Sequence, residues 1–305
     1  MSASFALALD AADAAAASQH YPSGALYVVA TPIGNLADIS LRALHVLKLV
    51  DCIACEDTRH TQTLLRAYGV DTSAHKLLAL HQHNEAQVAQ AVVERLRLGQ
   101  RVAYVSDAGT PAVSDPGARL VSAVRGACLL ALALPGASSV TAALSVAGIT
   151  SDEADSGQFV FVGFLSSKAI LRASEIAALA REPRAVVLLE APHRIEALAL
   201  ALAVLGDRLV TVSRELTKQF EETATVSASA MPAWLREQPN RTRGEFVVVL
   251  HPARVATDGG DEQRVLALLL AELPLKTAVK LAAEITGASR NALYESALAL
   301  RKMAP

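Results

Sequence analysis

One complete strand, loop, helix and strand pattern occupies residues 26–55, LYVVATPIGNLADISLRALHVLKLVDCIAC. A β-rich apolar run, Leu26–Ala30, leads through a loop with Pro and Gly into a helical pattern over Asp38–Val50. A second apolar run, Cys52–Cys55, closes the pattern. A helix between two short strands is typical of parallel pairing, so this stretch predicts a βαβ unit.

The same pattern repeats through the first half of the chain. Further strands are predicted at Leu77–Leu80, Val102–Val105 and Leu129–Leu134, and helices from about Thr58, Asn84 and Ser138. Five strands alternating with helices predict a parallel sheet that is covered on both faces. Cys52 and Cys55 stand three residues apart in one strand and therefore face opposite sides of the sheet, which favours buried thiols over a metal or redox pair.

A second α/β unit follows a polar stretch after Gly148. Its predicted strands are Phe159–Phe164, Ala185–Leu189, Leu209–Val212, Thr223–Ser227 and Glu245–Leu250. The last two strands lie close in sequence, so we expect them to pair antiparallel and to make this second sheet mixed. The predicted organisation is a disordered tail (1–24), an N-terminal α/β domain (25–149), a C-terminal α/β domain (150–252), a linker (253–261) and a helical, helix-turn-helix-like segment (262–305).

Composition excludes several classes of protein. No apolar run approaches the roughly 18 residues of a membrane span, so no membrane partner is expected. A net charge of -2 provides no global basic field for nucleic acid, although a local patch is compatible with it. Three cysteines in 305 residues suit a reducing compartment, and we expect a cytoplasmic protein. The phosphate-cradling motifs GxxxxGK[ST] and GxGxxG are both missing from the sequence, which disfavours nucleoside triphosphates and dinucleotides.

Three loops that follow predicted strands are candidates for a binding site. They are Thr31–Leu36, the long Ser106–Gly117 and Leu134–Ser139, each with Gly or small hydroxyl residues. Ligands of open α/β sheets bind beyond the carboxyl ends of the strands, where these loops would meet. Each loop alone is compatible with an ordinary turn, but the three together favour a site.

Two polar clusters follow strands of the second unit. Glu190–Arg194 has the sequence EAPHR, and Arg214–Lys218 has the sequence RELTK. Arg and Glu at strand ends can bind an anionic substrate or tune the pKa of a base, but ordinary charged loops have the same composition.

The C-terminal segment has helix-turn-helix spacing over residues 275–294. Ala283 lies four residues before Gly287, and small residues there allow two helices to cross closely. A recognition helix would then expose Ser289, Arg290, Asn291 and Tyr294 to a nucleic acid. The alternative is a helical hairpin that packs on the body of the protein.

Several of these segments occur together in a known family. They are residues 26–36, Glu56–Arg59, 105–117, 191–194, 214–218 and Arg243–Phe246. In these motifs the chain resembles the small-subunit ribosomal RNA cytidine-2′-O-methyltransferases of the tetrapyrrole methylase superfamily. The resemblance implies two α/β domains with S-adenosylmethionine in the cleft between them, a homodimer, and methylation of a ribose 2′-hydroxyl in small-subunit (16S) ribosomal RNA or the 30S particle.

The resemblance also implies a set of cofactor-binding residues. They are Pro32, Gly34, Asp107, Ala108, Gly109, Thr110, Ser138 and Ser139, with Leu189 and Gly244 on the side of the second domain. The chain departs from the family at two positions: Ala137 replaces the second Pro of Pro-Gly-Pro, and Leu189 replaces an aromatic residue. Neither change removes a group that does chemistry.

Lys218 is the predicted catalytic residue, with Arg214 and Glu215 beside it. A 2′-hydroxyl is a poor nucleophile until a base removes its proton or a cation stabilises its alkoxide. Lys218 could serve in either way, because a desolvated Lys beside Arg can have a lowered pKa. The predicted substrate-binding residues are Glu190, His193, Arg194 and Arg290, and no metal is implied.

Two other classes of protein share some of these features. A small-molecule methylase of the same superfamily would have the same cofactor cleft, but the tail and the Arg214–Lys218 cluster would then lack an evident purpose. A ligand-sensing helix-turn-helix regulator would use the tail on DNA, but nothing in the first 250 residues calls for that.

Overall fold

Two compact units make up the chain, residues 1–252 and residues 253–305. The computed structural model describes residues 5–71, 73, 76–81, 84–114, 116–150, 157–253 and 259–303. The first unit contains two five-stranded sheets with their helices, and the second contains three helices. None of the helices within these described ranges combines the length and the apolar character needed to cross a membrane.

The first sheet is parallel throughout, as the sequence predicts. Its strands are β1 (Ala25–Val29), β2 (Cys52–Cys55), β3 (Lys76–Ala79), β4 (Val102–Val105) and β5 (Leu130–Leu134). They lie in the order β3-β2-β4-β1-β5. This order makes the carboxyl ends of β4, β1 and β5 neighbours, so the loops that follow these three strands lie side by side.

Helices cover both faces of this sheet. They are α1 (Ala6–Ala16), α2 (Leu41–Leu49), α3 (Thr58–Ala67), α4 (Glu85–Arg97) and α5 (Ala118–Gly126), whereas α6 (Ser139–Val146) follows β5 and packs elsewhere. Cys52 belongs to the core on one face and Cys55 to the core on the other, which confirms that both are buried thiols. Burial raises the pKa of Cys55 to about 11, so its thiol stays protonated at neutral pH.

The prediction of a disordered tail over residues 1–24 is wrong, because Ala6–Ala16 form helix α1. Ala12 and Ala16, four residues apart, form a small buried face, and α1 packs on α2. The Asp13 carboxylate contacts Nδ1 of His45 at 2.9 Å and also pairs with Lys48. Small residues at helical spacing and one ion-pair network hold this segment to the body.

The second sheet is mixed, as predicted, but the expected strand pairing is wrong. Its strands are β6 (Phe159–Gly163), β7 (Ala185–Glu190), β8 (Leu209–Arg214), β9 (Glu222–Ser227) and β10 (Phe246–Leu250), in the order β6-β7-β10-β8-β9. β9 and β10 do not pair, because β8 lies between them and is antiparallel to both. A short turn joins β8 to β9 and favours their pairing, whereas α9 (Met231–Glu237) intervenes between β9 and β10.

The two sheets belong to one unit because α6 packs on the second sheet. Val140 and Ala143 of α6 share a core with Val187, Val247 and Val249. The opposite face of the second sheet is covered by α7 (Ala169–Leu179), α8 (Ile195–Leu202) and α9. The predicted boundary between residues 149 and 150 therefore separates two sheets but not two compact units, and residues 151–156 lie outside the described residues.

The second unit consists of α10 (Gly259–Glu272), α11 (Leu275–Thr286) and α12 (Arg290–Met303) around its own small core. The predicted linker over 253–261 is too long, because α10 already begins at Gly259; residues 254–258 lie outside the described residues. Gly287 ends α11 with φ +73°, and its N–H donates to the Ala283 carbonyl. Ser289, Arg290, Asn291 and Tyr294 are exposed, as the helix-turn-helix pattern predicts.

Candidate functional site

The three loops selected from the sequence meet beyond the first sheet. Thr31 and Gly109 exchange two backbone hydrogen bonds of 2.9 and 3.0 Å. The Thr110 hydroxyl donates to the Ala137 carbonyl at 3.0 Å. These contacts connect the loop after β1 to the loop after β4, and that loop to the one after β5.

Asp107 ties the loop after β4 to the loop after β2. Its Oδ1 accepts from the Asp57 N–H at 3.2 Å, and its own N–H donates to Oε2 of Glu56 at 3.3 Å. The Asp57 carboxylate also caps α3 by accepting from the N–H groups of Arg59 and His60. Glu56 and Asp57 therefore belong to the border of the same site.

Glu85 anchors the far end of the long loop after β4, and the sequence analysis missed it. This buried carboxylate accepts from the N–H groups of Gly117 and Arg119 at 3.0 and 3.1 Å. The N-terminus of α5 is thereby capped by a residue from α4. No local sequence signal links a Glu to a loop about thirty residues further along the chain.

A cavity of about 430 Å³ opens beside these loops, and we call it the cleft cavity. It is lined by Ile33, Asp38, Gly136, Ala137, Ser138, Thr141, Ala142, Ser145 and Thr217. Its walls come from the loops after β1 and β5, from α6, and from the turn after β8 in the second sheet. The lining contains several hydroxyl groups and one carboxylate, without Lys or Arg among the described residues.

Three charged side chains meet at the turn after β8, and we call them the Lys218 cluster: Glu215 and Lys218 from the turn, and Glu245 from the residue before β10. Nζ of Lys218 donates to Oε1 of Glu215 at 2.8 Å and to Oε2 of Glu245 at 3.0 Å. No role is predicted for Glu245 from its position in the sequence. It reaches the cluster because β10 begins where β8 ends, in antiparallel register.

Two glycines fit closely against this cluster. A Cβ on Gly34 would lie 2.5 Å from Cγ of Lys218, and a Cβ on Gly244 would lie 2.4 Å from Cγ of Glu215. The Asn35 N–H donates to the Thr217 hydroxyl at 3.1 Å. The loop after β1 in the first sheet and the turn after β8 in the second are therefore in direct contact.

The electrostatics of the cluster contradict the expected lowered pKa of Lys218. Burial acts to lower the pKa of the Lys218 ammonium, but its hydrogen bonds to Glu215 and Glu245 outweigh burial and raise the pKa. For Glu215, burial acts to raise the pKa, but bonding to Lys218 and to the Glu245 N–H lowers it. Both groups are therefore charged at neutral pH.

Arg214 does not join Lys218, although the two are close in sequence. Its guanidinium donates to the backbone carbonyls of Phe220 and Asn240 at 2.8 and 3.0 Å. It lies on the face of the sheet that carries Val210 and Val212, away from α6. The nearest charge partner on that side is Glu222, whose Oε2 lies 3.6 Å from an Arg214 nitrogen.

The remaining predicted residues are dispersed. Glu190 is buried and pairs with Nε of Arg194 at 3.0 Å, and Arg194 also donates to the Leu165 carbonyl. Leu189 packs in the core beside Val187. Three residues lie in the loops that meet at the site: Pro32 is buried, Ala108 is exposed and Ser139 begins α6 half-buried. His193 is exposed, and Arg290 in the second unit pairs with Glu284 at 3.5 Å.

Within the described ranges, no three His, Cys, Asp or Glu side chains are arranged to hold a metal ion. The polar groups at the junction of the sheets are hydroxyls, backbone amides and the charged Lys218 cluster. Two α/β sheets whose loops meet in such a cleft are typical of enzymes that bind a small-molecule ligand between them. Residues 25–232 match the family model described as Tetrapyrrole (Corrin/Porphyrin) Methylases, and residues 256–301 match the RsmI C-terminal HTH domain.

Curated relatives match nearly the whole chain. The chain is 46% identical to "Ribosomal RNA small subunit methyltransferase I" of Escherichia coli O157:H7, over 90% of this chain and 95% of the relative. Proteins of the same name from Pseudomonas aeruginosa and Neisseria meningitidis serogroup B are each 45% identical, over 97% and 96% of their lengths. The chain therefore belongs to the ribosomal RNA small subunit methyltransferase I family within the tetrapyrrole methylases.

Solved structures resemble the fold at lower identity. The cobalt precorrin-4 methyltransferase CbiF matches with a TM-score of 0.56 and 17% identity, covering 76% of this chain and 98% of that one. The methyltransferase CobJ matches with a TM-score of 0.54 and 19% identity, covering 76% and 95%. At these identities the likeness concerns the fold alone.

Proposed function

We propose that this protein transfers a methyl group from S-adenosylmethionine to the ribose 2′-hydroxyl of a cytidine in small-subunit ribosomal RNA. The observation that carries the proposal is identity of 46% over 95% of a relative named for small-subunit ribosomal RNA methylation. The match to an RsmI C-terminal HTH domain supports it, because it covers the part of the chain outside the methylase model. Its site of action would be the cytoplasm.

The cleft cavity suits the cofactor. Its volume of about 430 Å³ falls in the range of small-molecule sites. The hydroxyls of Ser138 and Thr141 suit an adenosine, and Asp38 suits the positive charge of a sulfonium or ammonium. The absence of Lys and Arg from the described lining agrees with a ligand that carries no phosphate.

Three of the cofactor residues implied by the resemblance border this cavity or its walls. Ser138 lines it, Thr110 bonds to its wall at Ala137, and Gly34 lies next to Thr217 on the opposite side. We retain Pro32, Asp107, Ala108, Gly109, Ser139 and Leu189 as candidates, whereas Gly244 lines a second cavity beside Glu215. When bound, S-adenosylmethionine supplies an electrophilic methyl group.

Lys218 would assist the nucleophile as a cation. Because its pKa is raised, its ammonium keeps its proton at neutral pH, which favours a role as a cation over a role as the base. An ammonium held by Glu215 and Glu245 has a fixed position from which it can stabilise negative charge on the 2′-oxygen as the hydroxyl proton passes to water. Arg214 and Glu215 would act as positioning residues, since both hold the turn that carries Lys218.

RNA would be held by exposed residues and by the second unit. His193 and Arg290 are exposed and accessible to RNA. The Glu190–Arg194 pair would position the loop that joins these two residues.

A homodimer is part of the proposal. The edge strands β5 and β6 support it, because Leu130, Phe159 and Val162 expose large apolar side chains there.

A transfer assay with labelled S-adenosylmethionine tests the proposal. Small ribosomal subunits from a strain that lacks this protein are one acceptor, and a tetrapyrrole is the other. Label in the RNA is the expected result. Label only in the tetrapyrrole would replace the proposal with the small-molecule reaction, and the homodimer is checked separately by sedimentation.

A further inference from the structure

A second cavity lies beside the Lys218 cluster, on the side of the second sheet. Its volume is about 240 Å³, and it is lined by Arg214, Glu215, Phe220, Asn240, Arg243 and Gly244. We call it the Phe220 cavity. It shares Glu215 with the Lys218 cluster, so a group bound in it would lie next to the proposed reacting position.

Arg214 builds the walls of this cavity. Its guanidinium donates to the carbonyls of Phe220 and Asn240, and thus holds the two segments that form opposite walls. Arg214 is only 4% exposed, and its Nε–H has no acceptor in the part of the chain that the structure describes. A buried donor without an acceptor costs free energy, and Arg214 accepts this cost while its terminal nitrogens hold two of the segments that line the cavity.

Phe220 gives the cavity an aromatic wall. The side chain is 66% exposed, so its ring is accessible to a stacking partner. Arg243 and Asn240 are also exposed and contribute a permanent positive charge and an amide. The combination of an accessible aromatic face with an exposed Arg and an amide is typical of sites for single-stranded nucleotides.

We propose that the Phe220 cavity binds a nucleotide that neighbours the methylated cytidine, with its base stacked on Phe220 and its acceptor atoms facing Arg214 and Arg243. This assignment rests on the proposed function. The carboxylate of Glu215 does not repel the nucleotide, because its negative charge is paired with Lys218. Bases in single-stranded RNA are free to leave their own stack, so such a pocket can position the strand at the Lys218 cluster.

The test compares Phe220→Ala and Phe220→Trp with the control Leu200→Ala in the full-length chain. Leu200 also exposes 66% of its side chain, but it lies on α8 outside both cavities. Binding of a fluorescein-labelled ten-nucleotide single-stranded RNA is measured for each variant. Calorimetry with S-adenosylmethionine and steady-state kinetics on small ribosomal subunits complete the comparison.

Phe220→Ala should weaken RNA binding about tenfold, since one base stack is lost, and raise KM far more than it lowers kcat. Phe220→Trp should restore binding, and the affinity for S-adenosylmethionine should be unchanged in every variant. Arg243→Gln should reduce the slope of log RNA affinity against log salt concentration by about one, as expected when one phosphate contact is lost. Arg236→Gln on α9 should leave this slope unchanged.

Equal RNA affinity in wild type and Phe220→Ala would overturn the assignment, as would an absence of RNA binding by the wild type. Loss of S-adenosylmethionine binding in Phe220→Ala would assign the cavity to the cofactor instead. If the wild type binds RNA through Phe220 but methylates no ribosomal particle, the proposed function fails and the nucleotide site stands.

Discussion

Gly34 and Lys218 are in contact across the junction of the two sheets. A Cβ on Gly34 would lie 2.5 Å from Cγ and 3.0 Å from Cε of Lys218, so only a glycine leaves room for the observed position of that side chain. The neighbouring Asn35 bonds to Thr217. The loop after β1 thus sets where the charged end of Lys218 lies.

Gly34→Ala should slow methyl transfer without unfolding the protein. The added methyl group displaces the stem of Lys218, and a displacement of this size can reduce the rate on the order of tenfold or more. Single-turnover rates and the melting temperature are the measurements. Gly126→Ala is the matched control, because a Cβ there meets nothing within 4 Å. A wild-type rate in Gly34→Ala would contradict this role of the contact.

Lys218→Met should reduce the single-turnover rate by about 10²-fold if the ammonium stabilises the 2′-oxyanion. Lys218→Arg keeps a cation and should retain more of the rate. Affinity for S-adenosylmethionine should change little in either variant. A rate for Lys218→Met within a few-fold of wild type would exclude Lys218 from the chemistry.

The pH profile should show no ionisation of Lys218 near neutrality. The pKa of Lys218 is raised above its ordinary value of 10.5 and the pKa of Glu215 is lowered below 4.5. The stabilisation from their pairing is therefore lost only when the pH rises through the raised pKa of Lys218 or falls through the lowered pKa of Glu215. A rate that increases with an apparent pKa between 6.5 and 9, and loses this increase in Lys218→Arg, would instead identify Lys218 as the base.

Asp107→Ala should weaken S-adenosylmethionine binding about tenfold, because one acceptor that fixes the loop after β4 is lost. Asp107→Asn keeps an oxygen acceptor for the Asp57 N–H and should bind nearly as the wild type does. Calorimetric titration measures both affinities. Unchanged binding in Asp107→Ala would remove Asp107 from the cofactor site.

Removal of residues 253–305 should weaken binding to small ribosomal subunits and spare the cofactor site. The boundary follows the division between the two compact units, and residues 1–252 keep both sheets. Loss of a linked binding unit can reduce affinity on the order of a hundredfold. Filter binding and calorimetry are the measurements, and unchanged RNA affinity would contradict a role in RNA binding.

The position of the loops could be predicted from the sequence, but several contacts could not. Alternation of strands and helices predicts a parallel sheet, and a parallel sheet brings the loops at Gly34, Asp107 and Ser138 to one edge. Proximity along the chain predicts that β10 pairs with β9, the strand before it. Because α9 lies between these two strands, β10 is free to pair with β8 instead.

Side-chain partners depend on tertiary packing in the same way. Arg214 and Lys218 are close in sequence, yet alternation along β8 and the turn after it direct them to different partners. The lowered pKa expected for Lys218 assumed that Arg214 was its neighbour, whereas the structure supplies Glu245 from another strand. Helix α1 was missed because an Ala-rich segment has no strong apolar periodicity.

The most direct test of the central claim is the identity of the methylated nucleoside. Small ribosomal subunits that lack this modification are incubated with the protein and S-adenosylmethionine, and the RNA is digested and analysed by mass spectrometry. The account predicts a single new product, 2′-O-methylcytidine. A methyl group on a base, or no methylated nucleoside despite measurable cofactor binding, would contradict it.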